Sequence, residues 1–235
     1  MYTHSSRLYD KLYHFKDYDL HARKLLEAMQ ADHPAACSLL EVACGTGRFL
    51  EHLGKAYSVE GLDINPELLD MARKRLGDAP LHQGDMLDFD LGKKFDIVAC
   101  LFSSIAYVRT RERFLETVAT LAKHVASGGL LVIEPYFTPE TYWVDRITMN
   151  VLDEPELKIS WMYVSEKIGE MGRLDINYMV GTPFGVRYFT ELHELGLFSQ
   201  EDYRQAFESI GFDFHHDSAG PAGRGLYIAR ARSAR

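Results

Sequence analysis

No stretch of the 235 residues approaches the ~18 consecutive apolar positions of a membrane-spanning helix. The first residues, MYTHSSRLYDKLYHF, are polar and aromatic and lack the apolar run of a secretory signal. Cysteine is scarce. Cys37, Cys44 and Cys100 have no metal-ligand spacing and lie in or beside apolar segments, so three reduced, buried thiols and no metal site are expected. An excess of basic residues is missing too. The formal net charge of −8 argues against a nucleic-acid binder, which presents a basic face, yet a few placed arginines could still meet an anionic ligand. Internal repeats and low-complexity linkers are absent. What is present is a 46% hydrophobic composition, ample for a core, in a length that suits one large domain or a domain with an elaborated insertion. These features together predict a soluble, cytoplasmic chain.

The apolar pattern alternates in kind along the first part of the sequence. Leu20, Leu25, Leu26 and Met29 suit an amphipathic helix over 18–30. Leu39–Ala43 reads as a buried strand, Arg48–Leu53 as a helix and Tyr57–Ile64 as a second strand. Asn65 caps the next helix, with Pro66 at its first position. A short strand at Pro80–His82 and a near-continuous apolar strand at Phe95–Phe102 follow. A helix over Arg111–Val125, a turn at Gly128-Gly129 and a strand at Leu130–Glu134 complete the series. Such alternation predicts a doubly wound, mainly parallel α/β sheet.

After Pro135 the rhythm changes. Segments near 146–153, 157–168, 172–181 and 186–197 are rich in β-branched and aromatic residues and separated by turn signals, which predicts an inserted antiparallel sheet. Ser199 then caps a helix ended by Gly211, and Gly225–Ala231 returns as a last strand. The expected organisation is an α/β core over 1–135 with an N-terminal aromatic segment, a β insertion over 136–197, and a closing helix and strand over 198–235.

The segment LLEVACGTGRFL (39–50) carries the chemistry. Gly45 and Gly47 form a tight strand-to-helix turn that lets backbone approach a ligand. A dinucleotide fingerprint would place a third glycine at position 50, where Leu50 stands. The turn is therefore a poor pyrophosphate cradle, and it suits S-adenosylmethionine (SAM), which has no phosphate. Asp63 ends the second strand, where an acid accepts hydrogen bonds from ribose hydroxyls. Ile64 offers an apolar face to adenine. In Gly84-Asp85-Met86, the Asp85 carboxylate and the Met86 amide can meet the adenine edge.

This order of motifs resembles the class I SAM-dependent methyltransferases. Leu101–Ser104 would line the methionine half, and no Asn-Pro-Pro-Tyr follows the fourth strand, which speaks against DNA bases or protein glutamine as acceptors. A closer resemblance covers nearly the whole chain. LLEVACGTG, LHQGDM, FSSIAYV, EPYF-PE and GPAGRGLY are similar to segments of the nucleotide-linked amino-sugar N,N-dimethyltransferases that make desosamine and mycaminose. The resemblance implies N-methylation of a nucleotide-linked amino sugar in secondary-metabolite biosynthesis, with SAM as cofactor.

The resemblance also assigns residues. An N-terminal tyrosine-rich segment would close over the cofactor, with Tyr9 and Tyr18 touching SAM and Ala43, Asp63, Asp85, Met86 and Leu101 lining the rest of its site. Tyr2 and Tyr107 would orient the acceptor amine, and Tyr136 and Arg224 would hold the sugar and its pyrophosphate. Arg224 stands between two glycines, and its guanidinium fork matches paired phosphate oxygens. The chain departs from the family in three places. A glycine-containing stretch before Lys16-Asp17-Tyr18 is shortened to His14-Phe15. Tyr136-Phe137 replace a tryptophan pair, and Trp161, a further substrate-side residue, stands where a more polar one is expected. Another small molecule as acceptor, a free amine or an acid, therefore stays open, as does a SAM-binding protein without catalysis. His193 reads as a satisfied core residue. Self-association into a homodimer is left open.

Overall fold

The computed structural model describes residues 4–232. A 3-10 turn (Ser6–Leu8) and a one-turn helix α1 (Tyr9–Leu12) precede the long helix α2 (Tyr18–Asp32), which Asp17 caps through the Leu20 amide. Strand and helix then alternate: β1 (Ser38–Val42), α3 (Arg48–Leu53), β2 (Ser58–Asp63), α4 (Pro66–Leu76), β3 (Leu81–Gln83), β4 (Phe95–Cys100), a 3-10 turn at Ser104–Val108, α5 (Arg111–Lys123) and β5 (Val125–Ile133). After an antiparallel run β6 (Ile147–Glu154), β7 (Leu157–Ile168), β8 (Met171–Thr182) and β9 (Gly185–Gly196), the chain returns through α6 (Gln200–Ser209), β10 (Asp213–Asp217) and β11 (Leu226–Arg230).

Seven strands form the main sheet in the order β10-β11-β5-β4-β1-β2-β3. The first five strands of the chain pair in parallel, and β11 and β10 continue antiparallel beyond β5. Both faces are covered, so adjacent residues of one strand are buried on opposite sides. Leu39, Ile97 and Leu130 pack with Leu25, Met29 and Leu50 of α2 and α3. Leu40, Val98 and Leu131 pack with Phe114 of α5 and Phe207 of α6. That is the physical source of the unbroken apolar runs. The order reverses between β1 and β4, and the crevice outside the carboxyl ends of these strands is where a doubly wound sheet takes its ligand.

The second sheet holds β6-β7-β8-β9, hydrogen-bonded through β-hairpin registers. Its alternation is clean along β8: Leu174, Ile176, Tyr178 and Val180 are buried, whereas Asp175, Asn177 and Met179 are exposed. The buried face packs on Leu12 of α1 and Ala106 of the turn after β4. The opposite face carries exposed Met149, Val151, Met162, Val164 and Tyr188.

Four local expectations change. Gly128-Gly129 do not end a turn, because β5 already begins at Val125 and passes through them; between Phe95 and Ile97 the β4–β5 register jumps, and Gly128 takes φ +77° to absorb the extra residues. Strand β10 has no counterpart in the sequence pattern, since His215, His216 and Asp217 break any apolar period at this sheet edge. The helical turns at Ser6–Leu12 were also unforeseen, being held by tertiary contacts rather than by length. Finally, Cys44 and Cys100 are buried but Cys37 is exposed, in the loop that enters β1.

Candidate active site

A cavity of about 930 Å³ opens at the carboxyl ends of β1, β2 and β4 and extends under the inner face of the second sheet. Its wall includes Ala43, Gly45, Asp63, Ile64, Asp85 and Met86 from the main sheet. Tyr9 and Tyr13 enter from the N-terminal segment, and Tyr107, Tyr136, Trp161, His193 and Arg224 line the other end. Tyr2 lies outside the described residues.

The strand ends explain the first group. β2 stops at Asp63 because its carboxylate accepts the Gly45 amide at 2.7 Å and the Asn65 amide at 2.8 Å, tying the glycine turn to the start of α4. Burial pushes this carboxyl group up, against those backbone donors. Gly45 takes φ +56° and a Cβ there would meet nothing within 4 Å, so the cavity itself lies on that side. Ile64 is 49% exposed beside it, an apolar surface without an internal partner. Asp85 is exposed and turns one oxygen to the Leu87 amide.

Among the described residues, four of the five non-glycine residues with positive φ, namely Ala43, Phe102, Ser103 and Arg109, line this cavity, and Asp145 does not. Strained backbone of this kind persists where the surroundings over-determine it and gathers at functional sites.

Three expected cofactor residues do not reach the wall. Gly47 faces α4: a Cβ there would come within 2.7 Å of Leu76 Cδ1, so this glycine serves helix packing. Leu101 is 1% exposed inside the core, one residue before the wall begins at Phe102. Tyr18 packs its ring against Phe49, with centroids 5.3 Å apart. Its hydroxyl belongs instead to a set of buried polar atoms without a hydrogen-bond partner, with Lys16 Nζ, Glu41 Oε2 and Glu134 Oε1.

That set lies behind Phe102. Lys16 Nζ sits 3.2 Å from the Phe102 ring centroid, and burial, opposed by Glu134, lowers its ammonium to about 7. Glu134 accepts the Phe102 amide at 2.7 Å and stands 3.2 Å from His21 Nε2, while Arg224 Nη2 lies 3.7 Å from its other oxygen. Burial pushes Glu41 well above the usual carboxylate range. Lys16, Tyr18, Glu41 and Glu134 stand behind the cavity wall and not on it. On the wall itself, the Asp63 carboxylate for a diol and Ile64 for a planar ring fit the adenosine half of SAM.

The N-terminal segment is clipped over the cavity on three sides. Asp10 accepts from Thr46 Oγ1 at 2.7 Å and pairs with Arg75. Ser6 donates to Glu67 of α4. Glu191 of β9 accepts the His4 amide at 2.6 Å, the Ser5 amide at 3.1 Å and the Ser5 hydroxyl. Tyr9 and Tyr13 then stand 4.9 Å apart, and Tyr13 meets Phe102 edge-on.

At the far end, Tyr107 Oη lies 2.8 Å from His193 Nδ1. His193 is buried and hydrogen-bonded, as a satisfied core residue should be, and it also lines the cavity. Glu191 and His193 share a strand face by the two-residue period, and an acid and a histidine both facing inward was the signal available. Trp161 stacks on Tyr163, and Tyr136 meets Phe137 edge-on, giving this end an aromatic floor.

Comparison with known proteins decides the family. The methyltransferase domain family matches residues 39–129. A curated relative from Streptomyces venezuelae, dTDP-3-amino-3,4,6-trideoxy-alpha-D-glucopyranose N,N-dimethyltransferase, is 39% identical and covers 91% of each chain. This chain belongs to that N,N-dimethyltransferase family. A second relative, from Saccharopolyspora spinosa, is the dTDP-4-amino-2,3,4,6-tetradeoxy-D-glucose N,N-dimethyltransferase, 36% identical over 91% of this chain and 86% of its own. The SAM-bound structure of CalS10, an amino pentose methyltransferase from Micromonospora echinaspora involved in calicheamicin biosynthesis, superposes with a TM-score of 0.87. It is 33% identical and covers 95% of this chain and 96% of that one. The methyltransferase described here uses SAM, and among its described residues no helix is long and apolar enough to cross a membrane.

Proposed function

We propose that this methyltransferase N-methylates the amino group of a dTDP-linked deoxyamino sugar in antibiotic biosynthesis, acting in the cytoplasm on a small molecule and not on nucleic acid. The observation that carries the reading is one continuous cavity with two unlike ends. One end offers Asp63, Gly45, Ile64, Asp85 and Met86 to an adenosine. The other offers Tyr107, Tyr136, Trp161 and Arg224 to a sugar. The relatives' names point to the same substrate class, and they differ in whether the amine is at carbon 3 or carbon 4 of the sugar.

SAM supplies an electrophilic methyl on a sulfonium with a neutral leaving group. The residues of the chain have then mainly to align the amine, an effect worth up to ~7–11 kcal/mol in favourable cases. Tyr9, Tyr13 and Phe102 form an aromatic lid that excludes water and faces the positive charge with ring π-clouds. Tyr107 hydrogen-bonds the amine, with Tyr2 as its partner in the family resemblance. Arg224 meets the pyrophosphate. In this reading residues 1–135 form the SAM-binding α/β core with its aromatic lid, 136–197 contribute to the acceptor site, and 198–235 supply the last helix and strand of the core.

The test is turnover of a panel of dTDP-amino sugars with SAM, read by product mass. Transfer to the amino sugar and none to the matched hydroxyl sugar supports the reading. A second reading, a free amine as acceptor, draws on the aromatic Trp161, Tyr136 and Phe137, and transfer to unlinked amines alone would favour it. The reading includes a homodimer of this chain. Met149, Val151, Met162, Val164, Met179 and Tyr188 are exposed on the outer face of the second sheet, and a two-fold contact would bury that apolar face against itself. A monomeric mass by light scattering removes that element.

A further inference from the structure

Tyr107 reaches from the turn after β4 to the second sheet. Its hydroxyl meets a histidine 86 positions away on β9, and behind that histidine stands an acid. His193 Nδ1 is 2.8 Å from Tyr107 Oη, and His193 Nε2 is 3.9 Å from Glu191 Oε2. The His193 and Glu191 side chains are 2% and 4% exposed, so water does not dilute this contact. Glu191 is held ionised. The nearby His193 ring and the hydrogen bonds from Ser5 and His4 outweigh burial and bring its carboxyl group down to about 2.

A carboxylate on the Nε2 side favours the proton on that nitrogen, which leaves Nδ1 as an acceptor. Nδ1 can then face Tyr107 only by taking its O–H. The phenolic oxygen is left with its lone pairs towards the cavity, where it can accept a hydrogen bond and has no proton to give. We infer that Glu191 and His193 are positioning residues that turn Tyr107 into an acceptor for the N–H of the substrate amine and receive, through Tyr107, the proton released by methylation. The inference rests on the proposed N-methylation.

The balance is simple. As the new C–N bond forms and the C–S bond breaks, the amine nitrogen becomes cationic and carries one proton in excess. That proton moves to Tyr107 Oη while the Tyr107 hydroxyl proton moves to His193 Nδ1. The result is an imidazolium facing the Glu191 carboxylate, with Tyr107 neutral throughout. Release to solvent resets the chain before a second round. An acceptor at this point recognises a primary or a singly methylated amine, both of which carry an N–H when neutral. It has nothing to bind on a neutral dimethylamine, so the same geometry ends the reaction after two rounds. Because Glu191 also holds the His4 and Ser5 amides, the acceptor end is oriented only when the N-terminal segment is seated.

The full-length chain and its Tyr107→Phe, His193→Phe, His193→Gln and Glu191→Gln variants, assayed with SAM and a dTDP-amino sugar, provide the test. Tyr107→Phe and His193→Phe should each lower kcat by roughly 100-fold, with SAM affinity within about twofold, and the double variant should be no worse than either one. His193→Gln, whose amide oxygen can accept the Tyr107 hydroxyl but takes up no proton, should fall between wild type and His193→Phe. Wild-type kcat in His193→Phe, or additive losses in the double variant, would overturn the inference. A second measurement needs no substrate: nitrogen NMR of the labelled imidazole should show His193 protonated at Nε2 in wild type and a mixture in Glu191→Gln. An Nδ1–H ring in wild type contradicts the inference by itself. Absence of wild-type turnover on every nucleotide-linked sugar would instead count against the proposed substrate, and the NMR result would still decide the polarity of Tyr107.

Discussion

The two ends of the cavity are built by different rules. At the cofactor end, Gly45, Asp63 and Asp85 follow the ends of parallel strands β1, β2 and β3, so chain topology alone delivers them to one crevice. At the acceptor end, Trp161, Leu174, Ile176, Tyr178 and His193 come from antiparallel strands, where strand register and alternation decide which side chains point inward. The buried acids differ as well. Glu41 stands in the core of the main sheet with one oxygen unpartnered, and burial raises its pKa. Glu191, in the second sheet, is surrounded by donors and its pKa falls to about 2. The first region leaves a buried acid short of donors, and the second surrounds one with them.

That contrast yields the largest expected effect. Glu191 has a folded pKa below its ordinary 4.5, so its contribution to stability is complete above pH 4.5 and is lost as pH falls towards 2. It amounts to on the order of 3 kcal/mol. Glu41 has the opposite sign: its folded form keeps a proton that the unfolded chain gives up, so it costs stability as pH rises above 4.5. Urea unfolding at pH 7 should therefore show Glu191→Gln destabilised and Glu41→Gln unchanged or stabilised. The Glu191→Gln deficit should shrink on acidification. Equal losses in both variants would erase the contrast.

Next in size is Asp63→Ala, which removes charge-assisted hydrogen bonds to the ribose and should weaken SAM binding by about 1.5–3 kcal/mol. Calorimetry showing wild-type affinity would take Asp63 out of the site. Arg224→Ala should act on the other end alone, raising KM for a dTDP-amino sugar roughly 10- to 100-fold with SAM affinity intact. Equal KM in wild type and variant would return Arg224 to a structural role as the partner of Glu134 at 3.7 Å.

Gly47→Ala separates folding from binding within the cofactor end. Its φ of +73° and the Leu76 contact at 2.7 Å predict a loss of about 1–2 kcal/mol in unfolding free energy. SAM affinity of the folded fraction should be unchanged, and a specific loss of binding at full stability would mean that the glycine touches the cofactor.

How much of this was legible in the sequence follows the same division. The α/β alternation up to α5, the Asn65 and Ser199 caps and the four strands after Pro135 could be read within a residue or two, because each has its own period or punctuation, whereas β5 starts five residues before its expected place. Gly45, Asp63 and Asp85 were readable because a strand end fixes where a ligand must lie. Leu101 was misplaced by one position, since strand ends are the least certain feature of an apolar run, and Tyr18 and Gly47 turned out to serve packing around the site. Lys16, Glu41 and Glu134 converge behind Phe102 from three separate segments, a meeting that no local pattern announces. The pairing of Tyr107 with His193 is of the same kind, since it depends on how the second sheet docks on the turn after β4.

One cavity that takes SAM at one end and an amino sugar at the other is the central requirement of the proposed function. Incubation of the full chain with SAM and a dTDP-amino sugar, followed by product mass, tests this most directly. The expected result is a sugar heavier by one and then two methyl groups, with the matched hydroxyl sugar untouched. Methylation of unlinked amines with the dTDP-amino sugar left unchanged would contradict it.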